Sequence, residues 1–162
     1  MTDSGTGYVD LRAHAKAMLA ASATFQELVE AESAAEAEAF VYMDHKADEA
    51  PPYARIIISP YIRDSLSLGT FSESGTVRFV ITLAIDLEEI QDGGNPPVEL
   101  IEEYVAQQAG DIVDDLADLS HTAGYLMLAR LQADPPQRNP REAKSGLGEY
   151  WNIVIVADLA SG

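Results

Sequence analysis

The alternation of apolar and polar residues is strongest between residues 75 and 86, and it predicts a long β-strand. A period of two places alternate side chains on opposite faces of a sheet. The apolar set comprises Val77, Phe79, Ile81, Leu83 and Ile85. Shorter apolar segments predict further strands at residues 40–43, 54–59, 125–134 and 149–159. The pattern therefore predicts about five strands.

Helical spacing of apolar residues marks two main helices. The first is expected to begin at Asp10, whose carboxylate is a favourable N-cap. Its apolar residues are Leu11, Ala15, Met18 and Leu19. The second follows a Gly- and Pro-rich break at residues 91–97 and runs to about residue 119. Its apolar stripe comprises Ile101, Val105, Ile112, Leu116 and Leu119.

Two short helical turns are predicted between the first helix and the first strand. One covers residues 24–29, and the other follows Ser33, which has the spacing of a capping box to Glu36. The element order is helix, three strands, helix, two strands. This order predicts an α+β fold with a mostly antiparallel sheet and the two main helices packed on one face.

The chain contains no internal repeat and no linker, so residues 1–162 are expected to form a single domain. Residues 1–9 are expected to be a flexible N-terminus. Residues 61–74 and 135–148 are rich in Ser, or in Pro and Gly, and predict two long loops.

Composition limits the possible partners. The chain has 27 acidic residues against 10 Lys and Arg, a formal net charge of −17. Such a surface repels phosphate backbones and anionic lipid, which argues against docking on nucleic acid or membranes. The absence of Cys excludes disulfides and thiol chemistry. The start lacks a signal-peptide pattern and the apolar runs are short, so folding in the cytoplasm is expected.

No catalytic residue, cofactor site or metal site is predicted. The sequence has no phosphate-binding glycine motif and no G-x-S-x-G elbow. His14, His45 and His121 are isolated in sequence, so structural roles are favoured for all three. An enzyme or a ligand-binding domain remains an alternative class.

Three sets of residues are candidates for contacts with other subunits. The first lies in the loop at residues 61–74, either an assembly loop or an extended hairpin packed on its own sheet. The second is an acidic helix flank, solvated or facing a subunit. The third, in the loop at residues 135–148, is either a cationic arm that docks on that flank or a solvated loop. The sets are Tyr61, Ile62, Leu66, Leu68 and Phe71; Asp111, Asp115 and Asp118; and Arg138, Arg141 and Lys144.

Several short strings resemble small proteins from the head–tail region of tailed bacteriophages. They are AASATFQ at residues 20–26, FSESGT at residues 71–76 before the long strand, and LADL at residues 116–119. The same order continues with a Gly-Tyr-Leu string at residues 124–126, a proline loop and a last strand from Tyr150. From about residue 11 to residue 159, the layout also resembles the tail-terminator proteins of long-tailed phages.

The resemblance implies a virion structural protein rather than an enzyme. Tail terminators form a ring, typically of six copies, that caps the tail tube and joins it to the head connector. The expected partners are therefore further copies of the chain, the tail tube protein and a head connector or head-closure protein. DNA would pass through the lumen without specific binding, and the acidic residues would face either that lumen or the outer rim. Another head–tail neck or tail-completion ring protein is the alternative within the same particles.

Overall fold

The computed structural model describes residues 7–43, 51–67, 70–91, 97–119, 127–142 and 148–161. Five helices lie in these ranges. They are α1 (Gly7–Ala20), α2 (Ala23–Leu28), α3 (Ala34–Glu38), α4 (Leu87–Ile90) and α5 (Val98–Leu119). Among the described residues, no helix is both long enough and apolar enough to cross a membrane.

Six strands form one mixed sheet. They are β1 (Val41–Met43), β2 (Tyr53–Ser67), β3 (Thr70–Asp86), β4 (Met127–Ala133), β5 (Gln137–Glu142) and β6 (Gly148–Ser161). The order is β1-β2-β3-β6-β4, and β5 also pairs with β6. Only the β1–β2 pair is parallel among the described pairs. The predicted α+β fold with a mostly antiparallel sheet is therefore confirmed, with one strand more than expected.

The helices pack on one face of this sheet, as predicted. The alternating apolar side chains of β3, from Val77 to Ile85, are at most 3% exposed and belong to the core. They belong to the same core as the buried stripe of α5, in which Leu119 is only partly buried. The buried residues of that stripe are Ile101, Val105, Ala109, Ile112 and Leu116.

The opposite face of the sheet, here called the open face, carries the alternate residues of the same strands. Tyr53, Val80, Tyr150 and Val154 are buried on it, yet none belongs to the core that the described helices share. On this face the Thr82 hydroxyl donates a hydrogen bond of 3.0 Å to Oδ1 of Asn152. Ile57 and Val156 are half-buried there. The open face therefore combines apolar and polar side chains without a helical layer from the described chain.

The loop predicted at residues 61–74 is wrong, because β2 and β3 form a long hairpin. The two strands pair from Tyr61 opposite Gly75 to Ser67 opposite Thr70, after an irregularity between Ile58 and Tyr61. Backbone N–H and C=O groups make these ladder bonds whatever the side chains are, so a Ser-rich segment can pair without apolar alternation. The hairpin alternative is the one that the structure has.

The loop predicted at residues 135–148 is also wrong in part. Residues 137–142 form β5, which pairs with β6 through Asn139 opposite Tyr150. β5 lies at the edge of the sheet, where Pro140 is tolerated because one side of the strand needs no ladder donors. Residues 143–147 lie outside the described residues.

The first helix begins earlier than predicted. α1 starts at Gly7, so Asp10 lies inside the helix, and residues 7–9 are helical rather than part of a flexible N-terminus. The predicted capping box of α3 is present in a shifted form. The Ser33 hydroxyl accepts from the Glu36 N–H at 3.2 Å, and the Glu36 carboxylate accepts from the Glu32 N–H at 2.9 Å.

A carboxylate of α5 holds the N-terminus of α2. Oδ2 of Asp115 accepts hydrogen bonds from the Ser22 hydroxyl at 2.7 Å and from the Thr24 N–H at 3.0 Å. Ser22 is fully buried and is itself the N-cap, accepting from the Phe25 N–H at 3.2 Å. Burial alone would raise the pKa of Asp115, but the bonds from Thr24 and Ser22 outweigh it and lower the pKa.

Replacing Asp115 by Ala should therefore destabilise the fold by about 1–3 kcal/mol, because two partly buried donors lose their acceptor. Urea denaturation at pH 7 measures this change. Asp118→Ala is the matched comparison, since Asp118 is exposed on the same helix and should change stability by less than about 0.5 kcal/mol. Equal losses in both variants would contradict the role of Asp115.

The cost of Asp115→Ala should also depend on pH. The folded-state pKa lies below the unfolded value of about 4, so this stabilisation is fully present above pH 4. It is lost as the pH falls through the folded-state pKa. The difference between wild type and Asp115→Ala should therefore shrink at acid pH, and a difference that stays constant down to pH 2 would oppose this linkage.

Candidate functional site

A cleft of about 450 Å³ opens between α2, α4, α5 and the end of β3. Leu28, Leu83 and Ile85 contribute its apolar wall, and Tyr104 of α5 stands beside them. Four carboxylate residues also line it: Glu27, Glu30, Glu89 and Asp111. The hydrogen bonds of Asp115 to the start of α2 hold one wall of the cleft against the other.

The four carboxylates of the cleft are exposed and form no ion pair with a described cationic residue. Arg138 forms an ion pair with Glu149, and neither residue lines the cleft. The described residues also contain no group of three His, Cys, Asp or Glu side chains placed to hold a metal ion. The acids are thus spread along the cleft, an arrangement that suits an extended cationic group better than a single ion.

Tyr104 is the aromatic group of the cleft and is 40% exposed. Partial burial, followed by the negative charges of Glu89 and Glu27, raises the pKa of its phenol. The phenol therefore stays neutral near pH 7. Leu100, one turn earlier on the same flank of α5, is also 40% exposed, and Val98 at the helix start is 46% exposed.

Glu30 occupies a strained position on the rim of the cleft. Its φ angle is +57°, in the left-handed region where glycine is usual. The backbone forms a Schellman motif at the end of α2. Here the Ala31 N–H donates to the Gln26 carbonyl at 2.8 Å and the Glu30 N–H to the Glu27 carbonyl at 3.2 Å. A residue with a Cβ destabilises the fold by about 1–2 kcal/mol in this left-handed conformation. The glutamate at this position therefore lowers the stability of the chain relative to a glycine.

The acidic flank predicted on α5 divides into three different positions. Asp111 lines the cleft and Asp118 is exposed, whereas Asp115 is engaged within the chain by Ser22 and Thr24. Whether Asp111 and Asp118 contact another subunit stays a prediction, whereas the carboxylate of Asp115 is engaged by Ser22 and Thr24. The partner of Asp115 lies 93 residues away in sequence, so spacing along the helix does not reveal it.

The predicted cationic arm is also corrected. Arg138 lies in β5, where its Nε donates to Oε2 of Glu149 at 2.8 Å, and Oε1 of Glu149 accepts from the Trp151 indole at 2.9 Å. A strand paired with β6 does not stand off its own sheet. Arg141 lies in the same strand, and Lys144 lies outside the described residues.

The apolar interface candidates fall on the long hairpin. Tyr61, Ile62 and Leu66 lie in β2 and Phe71 lies in β3, whereas Leu68 is outside the described residues. Their contact with another subunit stays a prediction. Of the three histidines, His14 lies half-buried in α1, and His45 and His121 are outside the described residues.

Sequence reasoning missed the cleft because its residues come from separate elements. Glu27, Glu89 and Tyr104 lie on α2, α4 and α5, and no local spacing connects them. One signal was available on α5. Leu100, Tyr104 and Asp111 share a helical flank, which places two large apolar residues beside an acid outside the buried stripe.

Replacing Glu30 by Gly should stabilise the protein by roughly 1 kcal/mol relative to Glu30→Ala, because only glycine relieves the positive φ. Both variants remove the charge, so the pair isolates the backbone effect. Chemical denaturation of the two variants measures the difference. Identical stabilities would show that this position carries no strain.

Replacing Glu89 by Gln should lower the pKa of Tyr104, because one of the negative charges that raise it is removed. The pKa should stay above the ordinary value, since burial is the larger cause. A titration of labelled tyrosine rings by NMR, assigned with Tyr104→Phe, measures the shift. Glu102→Gln, an exposed position of α5 outside the cleft, should leave the value unchanged.

Comparison with known proteins does not assign this cleft. No family model matches the chain, and no curated protein matches its sequence. The inference of function therefore depends on the residues of the chain and on their arrangement.

Proposed function

We propose that the chain is a virion structural protein, a ring-forming tail terminator of a long-tailed phage. In this role, copies of the chain form a ring that closes the tail tube and joins it to the head connector. The role is structural rather than enzymatic. The resemblance of the strings at residues 20–26, 71–76 and 116–119 to phage head–tail proteins supports the proposal, as does the α+β fold.

The observation that carries the proposal is the length of the β2–β3 hairpin. Its strands have 15 and 17 residues, whereas strands usually have about 5–6. At about 3.3 Å per residue, β3 spans roughly 55 Å. The described core positions of β3 begin at Val77, so the strand continues for seven further residues, Thr70 to Thr76, beyond them. Tyr61 and Ile62 of β2 and Phe71 of β3 lie on this distal part of the hairpin, which in the proposal contacts a neighbouring subunit.

The charge of the chain suits a ring through which DNA passes. With six copies, a net charge of −17 per chain brings roughly 6 × 17 ≈ 100 negative charges together. Acids that face the lumen would keep DNA from adhering to the wall, since like charges repel. An acidic lumen is therefore part of the proposal.

Native mass spectrometry of the purified chain at high concentration should show one dominant closed multiple. Antibody labelling of phage particles should place the chain at the neck, where tail and head join. A chain that is strictly monomeric and does not cosediment with particles would sink the proposal. Labelling elsewhere on the particle would instead point to another ring protein.

A variant with a shortened β2–β3 hairpin tests whether the length of this hairpin is needed for assembly. Ile58 and Val77 face each other across β2 and β3, so residues 59–76 can be replaced by an Asn-Gly turn that joins them. The variant should keep the core and remain folded but lose the closed multiple, as judged by circular dichroism and sedimentation. A folded variant that assembles as well as wild type would show that the distal hairpin is not the contact.

A further inference from the structure

We infer that copies of the chain associate head to tail, with the open face of one copy covering the acidic cleft of the next. The inference rests on the proposed ring and deepens it by naming the two surfaces that meet. Such a contact is heterologous, because it joins different surfaces of identical chains. Heterologous contacts generate closed rings when the rotation between copies divides the circle.

Two arginine residues with described side chains lie on the open face. Arg55 lies opposite Val80, and Arg78 lies opposite Ile57, so the two side chains are diagonal neighbours on β2 and β3. Arg78 is exposed and Arg55 is half-buried, and neither forms an ion pair with a described carboxylate.

Two acids with described side chains lie on the same strands of the open face, Asp158 and Asp86. Asp158 accepts a hydrogen bond of 2.8 Å from the Thr76 hydroxyl, and Asp86 is the last residue of β3. The two arginines lie on the strands between these acids, with the half-buried apolar residues Ile57 and Val156 beside Arg78.

The cleft is complementary to this surface in charge and in chemistry. Glu27, Glu30, Glu89 and Asp111 lack cationic partners among the described residues, as the two arginines lack acidic ones. A guanidinium forms bidentate bonds with carboxylates and stacks on aromatic rings, so the partly exposed Tyr104 adds a second mode of recognition.

A second copy fits this surface better than a contact of the cleft with itself. A two-fold contact between clefts would set four carboxylates against four, whereas the head-to-tail contact sets them against Arg55 and Arg78. The chain has only 10 cationic residues against 27 acids, so self-association must place cations opposite acids to limit repulsion. The exposed Leu100 would meet the apolar part of the open face.

Charge reversal tests the contact. One variant combines Glu27→Lys with Glu89→Lys, a second combines Arg55→Glu with Arg78→Glu, and a third carries all four changes. Sedimentation velocity should show that each of the first two raises the dissociation constant for self-association at least about 100-fold. The fourfold variant should regain association, and an equimolar mixture of the first two should form rings in which the two variants alternate, because both contacts between them pair opposite charges. Wild-type association should weaken between low and high salt.

A matched variant with Glu99→Lys and Glu102→Lys changes the net charge equally at exposed positions of α5 outside the cleft, and it should associate at least as well as wild type. Rings that form equally well in the first two variants would overturn the head-to-tail contact and leave the tail-terminator role standing. A fourfold variant that is folded but monomeric would also overturn the contact.

Head-to-tail association without any place in a phage particle would support the contact and overturn the proposed function. A wild-type chain that stays monomeric would overturn the contact, and cosedimentation with particles would then test the role separately.

Discussion

The carboxylate of Asp115 is the interaction on which the helical side of the molecule depends. α2 has only six residues, too few to be stable as an isolated helix, and its first N–H groups need acceptors. Asp115 supplies one from α5, while the buried Ser22 supplies another and is oriented by the same carboxylate. Because α2 is held in this way, Glu27 and Glu30 stand across the cleft from Tyr104.

The alternation of β3 gives the sheet two surfaces with different uses. One set of its side chains packs under α1 and α5 and forms the core, and the other set lies on the open face. The charged groups divide in the same way. The unpaired acids of the cleft border the helical layer, whereas Arg55 and Arg78 belong to the open face. A single subunit therefore carries two unlike surfaces, which is the condition for a contact that propagates around a ring.

Elements whose stability comes from a regular apolar period were predictable from sequence. The strand around Phe79 and the stripe of α5 are of this kind, because one face of each is buried along its whole length. The distal hairpin and β5 were not, because polar strands held by backbone ladders leave no apolar period. The cleft was hidden for a different reason. Its residues come together only in the folded chain. Asp115 differs from Asp118 because it accepts a hydrogen bond from Ser22, which lies 93 residues away in sequence.

Glu30 connects the stability of the fold with its proposed assembly. A glycine would satisfy the Schellman motif at lower free energy, so the glutamate there reduces the stability of the subunit. Such a cost is expected where a side chain serves binding rather than folding. The acids of the cleft have the same character, since unpaired carboxylates near one another repel in the isolated chain. A neighbour that brings Arg55 and Arg78 to the cleft would remove that repulsion, so the free energy that disfavours the lone subunit would favour its association.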